Sequence, residues 1–168
     1  AMRSYVLERD SEDLKRELGS GATDVARIVS EIRDRVDVEP REPGDAEQDR
    51  YRLLQSVTDF LRNASSVQPL VILLEDLHDA DRGTLDMLAH VARNQSGARL
   101  MIVGTYRDVE GDRSHPLSGT LADLRRLSNF SRVVLRGLSA EEVQRMLSLI
   151  TDREVPWGLA EAVHRQTE

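Results

Sequence analysis

The sequence predicts an α/β fold, a parallel sheet flanked by helices, and three observations carry that prediction. Leu70-Val-Ile-Leu-Leu74 is a short aliphatic run without alternation, as expected of a strand buried on both faces of a parallel sheet. Arg99-Leu-Met-Ile-Val-Gly-Thr-Tyr106 repeats the pattern. Segments of helical periodicity lie before, between and after the two runs, and strands alternating with helices give this class. At 168 residues the chain is long enough to bury a sizeable core.

Taken in order, Tyr5, Val6 and Leu7 read as the end of one element. Asp10 caps the next helix, with Asp13 at its third position and Leu14 and Leu18 on one face, and Gly19 and Gly21 end it. Val25, Ile28, Val29, Ile32 and Val36 have the spacing of an amphipathic helix. The stretch 37–45 holds two prolines, a glycine and mostly charge, so a mobile surface loop is expected there. Asp45 with Gln48 opens what should be the longest helix, carrying Tyr51, Leu54, Val57, Phe60 and Leu61 inward and leading into the Leu70 strand.

After that strand, Leu85, Leu88 and Val91 face inward on a helix over 84–93, and Gln95-Ser-Gly97 breaks it. Val109 to Pro116 is turn-like, and Leu117, Leu121, Leu124 and Leu127 mark a further helix. Ser131 to Arg136 reads as a third strand centred on Val133, Val134 and Leu135. Ser139-Ala-Glu-Glu142 is a capping box before a helix with Val143, Met146, Leu147 and Ile150. Pro156 starts a last helix with Leu159 and Val163 apolar. The organisation expected is a helical segment over 1–44, an α/β core over 45–137 and the start of a helical unit over 138–168.

Composition narrows the function. The formal charge is −7 and both signs are interspersed, which disfavours direct nucleic-acid contact, since that needs a basic stripe. One Trp, three Tyr and two Phe leave little for stacking bases. The absence of cysteine excludes a disulfide framework, thiolate metal sites and a cysteine nucleophile. No apolar run approaches the ~20 residues that span a bilayer, and no signal peptide opens the chain. A soluble, cytoplasmic protein is expected.

The chemistry-bearing stretch is Leu70 to Asp81. Its strand runs into Glu75 and Asp76, and the carboxyl edge of a parallel sheet is where ligands collect. Strand, acidic pair, short loop and helix is the arrangement called Walker B in P-loop nucleotide hydrolases, in which one acid holds Mg²⁺ and the other orients the attacking water. The plainer reading is a strand ending in solvated acids that cap the next helix, and Asp81 suits such a cap. His78, Asp79 and Asp81 could join Asp76 in a metal cluster, but no second histidine or cysteine accompanies them. His90, His115 and His164 form no pattern. Of 23 basic residues only Lys15 is lysine, and no glycine loop precedes it, so the 168 residues contain no G-x-x-x-x-G-K-[ST] phosphate loop.

Four stretches together resemble the nucleotide-binding domain of the STAND branch of AAA+-like ATPases, as found in large LuxR-type transcriptional regulators and bacterial multidomain cyclases and kinases. Leu70 to Asp81 is similar to that family's Walker B signature, four hydrophobics followed by D-D-L-H-W-A-D. Arg99 to Asp108 resembles its next strand, with Gly104-Thr-Tyr-Arg107 as the G-T-Y-R ending in a sensor arginine. Leu135-Arg-Gly-Leu-Ser-Ala-Glu-Glu142 resembles the passage into the helical lid, and Ala162 to Glu168 the approach to a G-N-P turn. Glu75 departs from the more usual aspartate and Asp79 from the usual tryptophan.

The resemblance implies a partial P-loop NTPase-type sheet with the start of a helical lid. Its first strand, P-loop and following helix would lie upstream of Ala1, and the lid would continue beyond Glu168. It makes Asp76 the water-orienting acid, Glu75 and Asp76 the contacts to Mg²⁺, and Arg107 the charge near the γ-phosphate. Arg107 could equally form a salt bridge to the acids of the neighbouring strand. The implied function is an ATP-binding and hydrolysing switch in a bacterial signalling or transcription-regulatory protein, partnered by effector and sensor domains of the same polypeptide. ATP and Mg²⁺ would be held by the full-length protein and not by this chain alone.

The family's strand order, 5-1-4-3-2, would put the upstream strand between Arg99–Tyr106 and Ser131–Arg136. Without it those two strands should pair directly, or two chains should associate. A rival reading is a protein-interaction module on the same scaffold without nucleotide chemistry. A third is a helical scaffold whose apparent strands are buried helix segments.

Overall fold

The computed structural model describes residues 2–41, 44–107 and 115–167. It divides into two compact units, Ala1–Phe130 and Ser131–Glu168. The first begins with helices α1 (Met2–Glu8), α2 (Ser11–Leu18) and α3 (Ala22–Val25). Asp10 caps α2 by accepting the backbone N–H groups of Glu12 and Asp13, and Gly19, at φ 53°, ends it in a backbone region open to glycine. Helix α4 (Ala46–Val67, 22 residues) is capped by Asp45, which accepts the Gln48 N–H. Strand β1 (Leu70–Leu74) follows, then α5 (Arg82–Asn94), β2 (Leu100–Gly104) and α6 (Pro116–Leu124).

The two strands pair in parallel, Leu70 opposite Leu100 through Leu74 opposite Gly104, with α5 as the crossover between them. This is the α/β class with a parallel sheet flanked by helices, consistent with part of a P-loop NTPase-type fold, and it removes the all-helical alternative. Burial alternates along the strands, however, and does not cover both faces. Ile72, Leu74, Leu100 and Ile102 pack into the helical cores, while Val71, Leu73 and Met101 are exposed. An uninterrupted aliphatic run suits two covered faces; among the described residues, helices reach these strands through one.

Two cores lie against that face. Val6, Leu14, Leu18, Val25, Val29, Ile32, Val57, Phe60 and Leu61 are buried together, so the N-terminal helices are built onto α4. Leu77, Leu85, Leu88, Leu117, Leu121 and Leu124 form the second core, between α5, α6 and the loop after β1. Phe60 meets the Tyr5 ring edge-on at 5.9 Å. Beneath that pair Glu17, 3 % exposed, accepts from the Tyr5 hydroxyl at 2.9 Å and from Arg9 Nε at 2.8 Å.

Further expectations are corrected. The helix over Val25 to Val36 is broken: α3 ends at Val25 and a 3₁₀ turn, Ser30–Asp34, follows. Three of the five marker residues are valines and two are isoleucines, poor helix formers, yet Val25, Val29, Ile32 and Val36 reach the core along the bent path while Ile28 stays exposed. Tyr51 is exposed too, because it lies a full turn and more before the buried part of α4, which starts at Val57.

The third strand over 131–136 does not form. Val133, Val134 and Leu135 are exposed coil, and β2 pairs only with β1 among the described residues. β-Propensity stabilises a strand only through a neighbouring ladder, and the segment expected to pair with β2 is no strand among the described residues. In the second unit, α7 (Ala140–Thr151) opens with the full Ser139–Glu142 capping box and packs on α8 (Trp157–Thr167). Val143, Val155 and Ala160 are buried there, whereas Met146, Ile150 and Leu159 are not. Residues 42, 43 and 108–114, part of the two expected loops, lie outside the described residues.

Candidate functional site

The carboxyl ends of β1 and β2 are stitched together past the last strand residues. Thr105 N–H donates to the Leu74 carbonyl at 2.9 Å and Leu77 N–H donates to the Thr105 carbonyl at 2.8 Å. Between them Asp76 turns into the left-handed region, φ 53° and ψ 45°, which a short polar side chain tolerates better than most. Its N–H donates to the Thr105 hydroxyl at 3.1 Å. One residue later Leu77 drops into the second core, and a 3₁₀ turn, Leu77–Asp79, leads to α5. Gly104 makes room for Leu77, since a Cβ there would stand 2.5 Å from Leu77 Cδ1.

Glu75 and Asp76 are exposed at this edge, side by side after the strand. Arg107 reaches the same loop cluster from β2, its backbone N–H donating to His78 Nδ1 at 3.4 Å. No ion pair joins Arg107 to Glu75 or Asp76 among the described residues. His78 lies between two acids, with Nδ1 3.9 Å from Asp76 Oδ1 and Nε2 3.7 Å from Asp79 Oδ2. Asp81 caps α5 by accepting the Thr84 N–H at 2.7 Å, and that backbone donor holds its carboxyl below the usual range.

The three residues singled out from sequence, Glu75, Asp76 and Arg107, thus sit on neighbouring loops at one sheet edge. Thr105 and His78 were not singled out for what they do. The only signal was Thr105 directly behind an apolar strand and His78 between two acids. His90, on α5, and His115, before α6, stand outside this loop cluster. No group of three or more His, Asp or Glu able to hold a metal occurs among the described residues.

A family model described as an AAA ATPase domain matches residues 3–103, well over half of the chain. The chain belongs to the AAA ATPase domain family. The match to the AAA ATPase domain takes in both strands up to Val103 and the pair Glu75 and Asp76, and leaves Arg107 and the second unit outside it. It makes the chain a nucleotide-related module in general terms. No curated protein and no solved structure matches the chain. No described helix of this AAA ATPase domain is long and apolar enough to cross a membrane.

The donor set fits one half of a Mg²⁺–nucleotide site. Mg²⁺ in such sites takes one or two carboxylates and completes its shell with water and phosphate oxygens, and two exposed adjacent carboxylates meet that need. The phosphate half requires a cradle of backbone N–H groups and a lysine, and no lysine stands among the described residues of this edge.

Proposed function

We propose that the chain is part of an ATP-binding and hydrolysing regulatory switch of the STAND type, in a bacterial signalling or transcription-regulatory protein. The observation that carries this reading is the acidic pair at the carboxyl end of β1, hydrogen-bonded to the end of β2 that bears Arg107, within an AAA ATPase domain. The phosphate cradle would come from sequence outside these residues. Effector and sensor domains of the same polypeptide would be the partners, in the cytoplasm.

In this reading Asp76 accepts a proton-bearing hydrogen bond from the attacking water and fixes its direction. Glu75 contributes the carboxylate to bound Mg²⁺, which neutralises phosphate charge when present. Arg107 offers a full positive charge where negative charge grows on the γ-oxygens. Leu77, anchored in the second core, and Thr105 keep the carboxylate loop from drifting.

The test uses a full-length protein that contains this chain and a P-loop. Asp76→Asn should slow hydrolysis on the order of 100-fold while ATP binding stays close to parental. Arg107→Ala should slow it by about tenfold or more. Parental turnover in both variants would refute the assignment. The chain alone should bind ATP–Mg²⁺ poorly, and micromolar binding by calorimetric titration would contradict that expectation.

The exposed apolar residues Val71, Leu73 and Met101 favour a second reading, an interaction module without nucleotide chemistry. A full-length protein that binds its partner equally with and without ATP would support it.

A further inference from the structure

The ladder between β1 and β2 continues past the strands in an unusual currency. Its last rungs are backbone to backbone, Thr105 N–H to Leu74 carbonyl and Leu77 N–H to Thr105 carbonyl. From Leu77 the chain is in a 3₁₀ turn, and the next carbonyl in the ladder, that of Asp76, already accepts the Asp79 N–H at 2.8 Å, so it is not left for the next N–H of the β2 strand end. That donor is Arg107 N–H, and the acceptor it finds is a side chain, His78 Nδ1. The imidazole is suited to this, because its side chain is only 13 % exposed in a loop whose neighbours Asp76 and Asp79 are 71 % and 80 % exposed. Nε2 lies on the other side of the ring, 3.7 Å from Asp79 Oδ2.

We propose that His78 is a positioning residue, substituting for the occupied backbone acceptor so that the Arg107 loop is held in register with the carboxylate of Asp76. The proposal rests on the ATPase reading above for its consequence in turnover, but its structural half stands apart from that reading. His78 acts through Arg107 and touches no reacting atom. Asparagine could do the same task, since its Oδ1 is as many bonds from the backbone as Nδ1 is.

Amide hydrogen exchange tests the structural half on the chain itself. His78→Ala should raise Arg107 amide exchange by about tenfold, and His78→Asn should restore protection. The Leu77 amide, bonded to the Thr105 carbonyl, should stay protected in both and report that the fold is intact. In a full-length protein with a P-loop, His78→Ala should lower kcat about tenfold with KM nearly unchanged, and His78→Asn should recover most of it. In an Arg107→Ala background His78→Ala should add no further loss. Unchanged Arg107 exchange in His78→Ala overturns the proposal. So does parental turnover in His78→Ala where Arg107→Ala is slow, with the ATPase reading left standing. Parental turnover in Arg107→Ala itself overturns the catalytic half of the proposal, and the ATPase reading falls with it only if Asp76→Asn is parental too.

Discussion

The hydroxyl of Thr105 accepts the backbone N–H of Asp76 at 3.1 Å, so a side chain at the end of one strand holds the left-handed turn at the end of the other. Thr105→Val keeps the shape and removes the acceptor. The expected cost is about 1 kcal/mol in denaturant unfolding, with the Asp76 amide exchanging faster while the Leu77 amide, bonded to the Thr105 carbonyl, stays protected. Equal exchange at Asp76 in both proteins would show that the hydroxyl is not the anchor.

Gly104 faces Leu77 across the two strand ends with no room for a methyl group. Gly104→Ala must push Leu77 within the second core, at a cost of about 1–3 kcal/mol by urea unfolding. Because Leu77 directly follows Asp76, amide shifts should change across 75–78 and less in α2. A variant as stable as the parent, with those shifts unmoved, would mean the Leu77 end yields freely.

The pair Tyr5 and Glu17 ties α1 to α2 out of water. Burial, and then the hydrogen bond to Glu17, pushes the Tyr5 hydroxyl up to about 12. A raised folded value means this contribution is full below the ordinary tyrosine value near 10 and is lost as pH rises through the folded value. Absorbance titration should therefore show one tyrosine that ionises late or together with unfolding. Glu17→Ala leaves Arg9 and Tyr5 without their shared acceptor, and should destabilise the first unit by about 3 kcal/mol. A loss below 1 kcal/mol would place the network at the surface in effect.

His90 on α5 packs edge-on against Tyr51 of α4 at 6.0 Å, and its Nε2 is buried without a hydrogen-bond partner among the described residues. Burial, and secondarily Arg93, holds its pKa below the ordinary value, against a smaller opposing pull from Asp59. The unfolded chain takes up that proton first, so stability should fall as pH drops below about 6.5 toward the folded value. His90→Phe should flatten that slope in thermal melts between pH 7 and 5. An identical slope would assign the acid sensitivity to other groups.

Much of the fold was legible because it is local. Asp10, Asp45, Asp81 and Ser139 announce helix starts through bonds only two or three residues long, and all four caps are present. The strands at Leu70 and Leu100 stood out for their aliphatic runs. What sequence could not reveal depends on distant partners. Whether Val133 to Leu135 forms a strand rests on an available edge, not on its own propensity. The path of Val25 to Val36 is settled by which residues the α4 surface can receive. The candidate acids were legible by position, but His78 and Thr105 gain their roles only from register, because each meets a residue 29 positions away.

The turn at Asp76 also ranks the two acids by length. Position 75 has no positive φ, so an extra methylene there is tolerated, and the chain carries glutamate. Position 76 sits at φ 53°, where aspartate, asparagine and glycine are the residues that settle readily and longer or branched side chains are disfavoured. The order Glu75-Asp76 is therefore not interchangeable with its reverse. Among homologous chains that keep this turn, drift between the two acids should be confined to the first of them, and a glutamate in the second place would mark a chain whose loop leaves the strand by a different route.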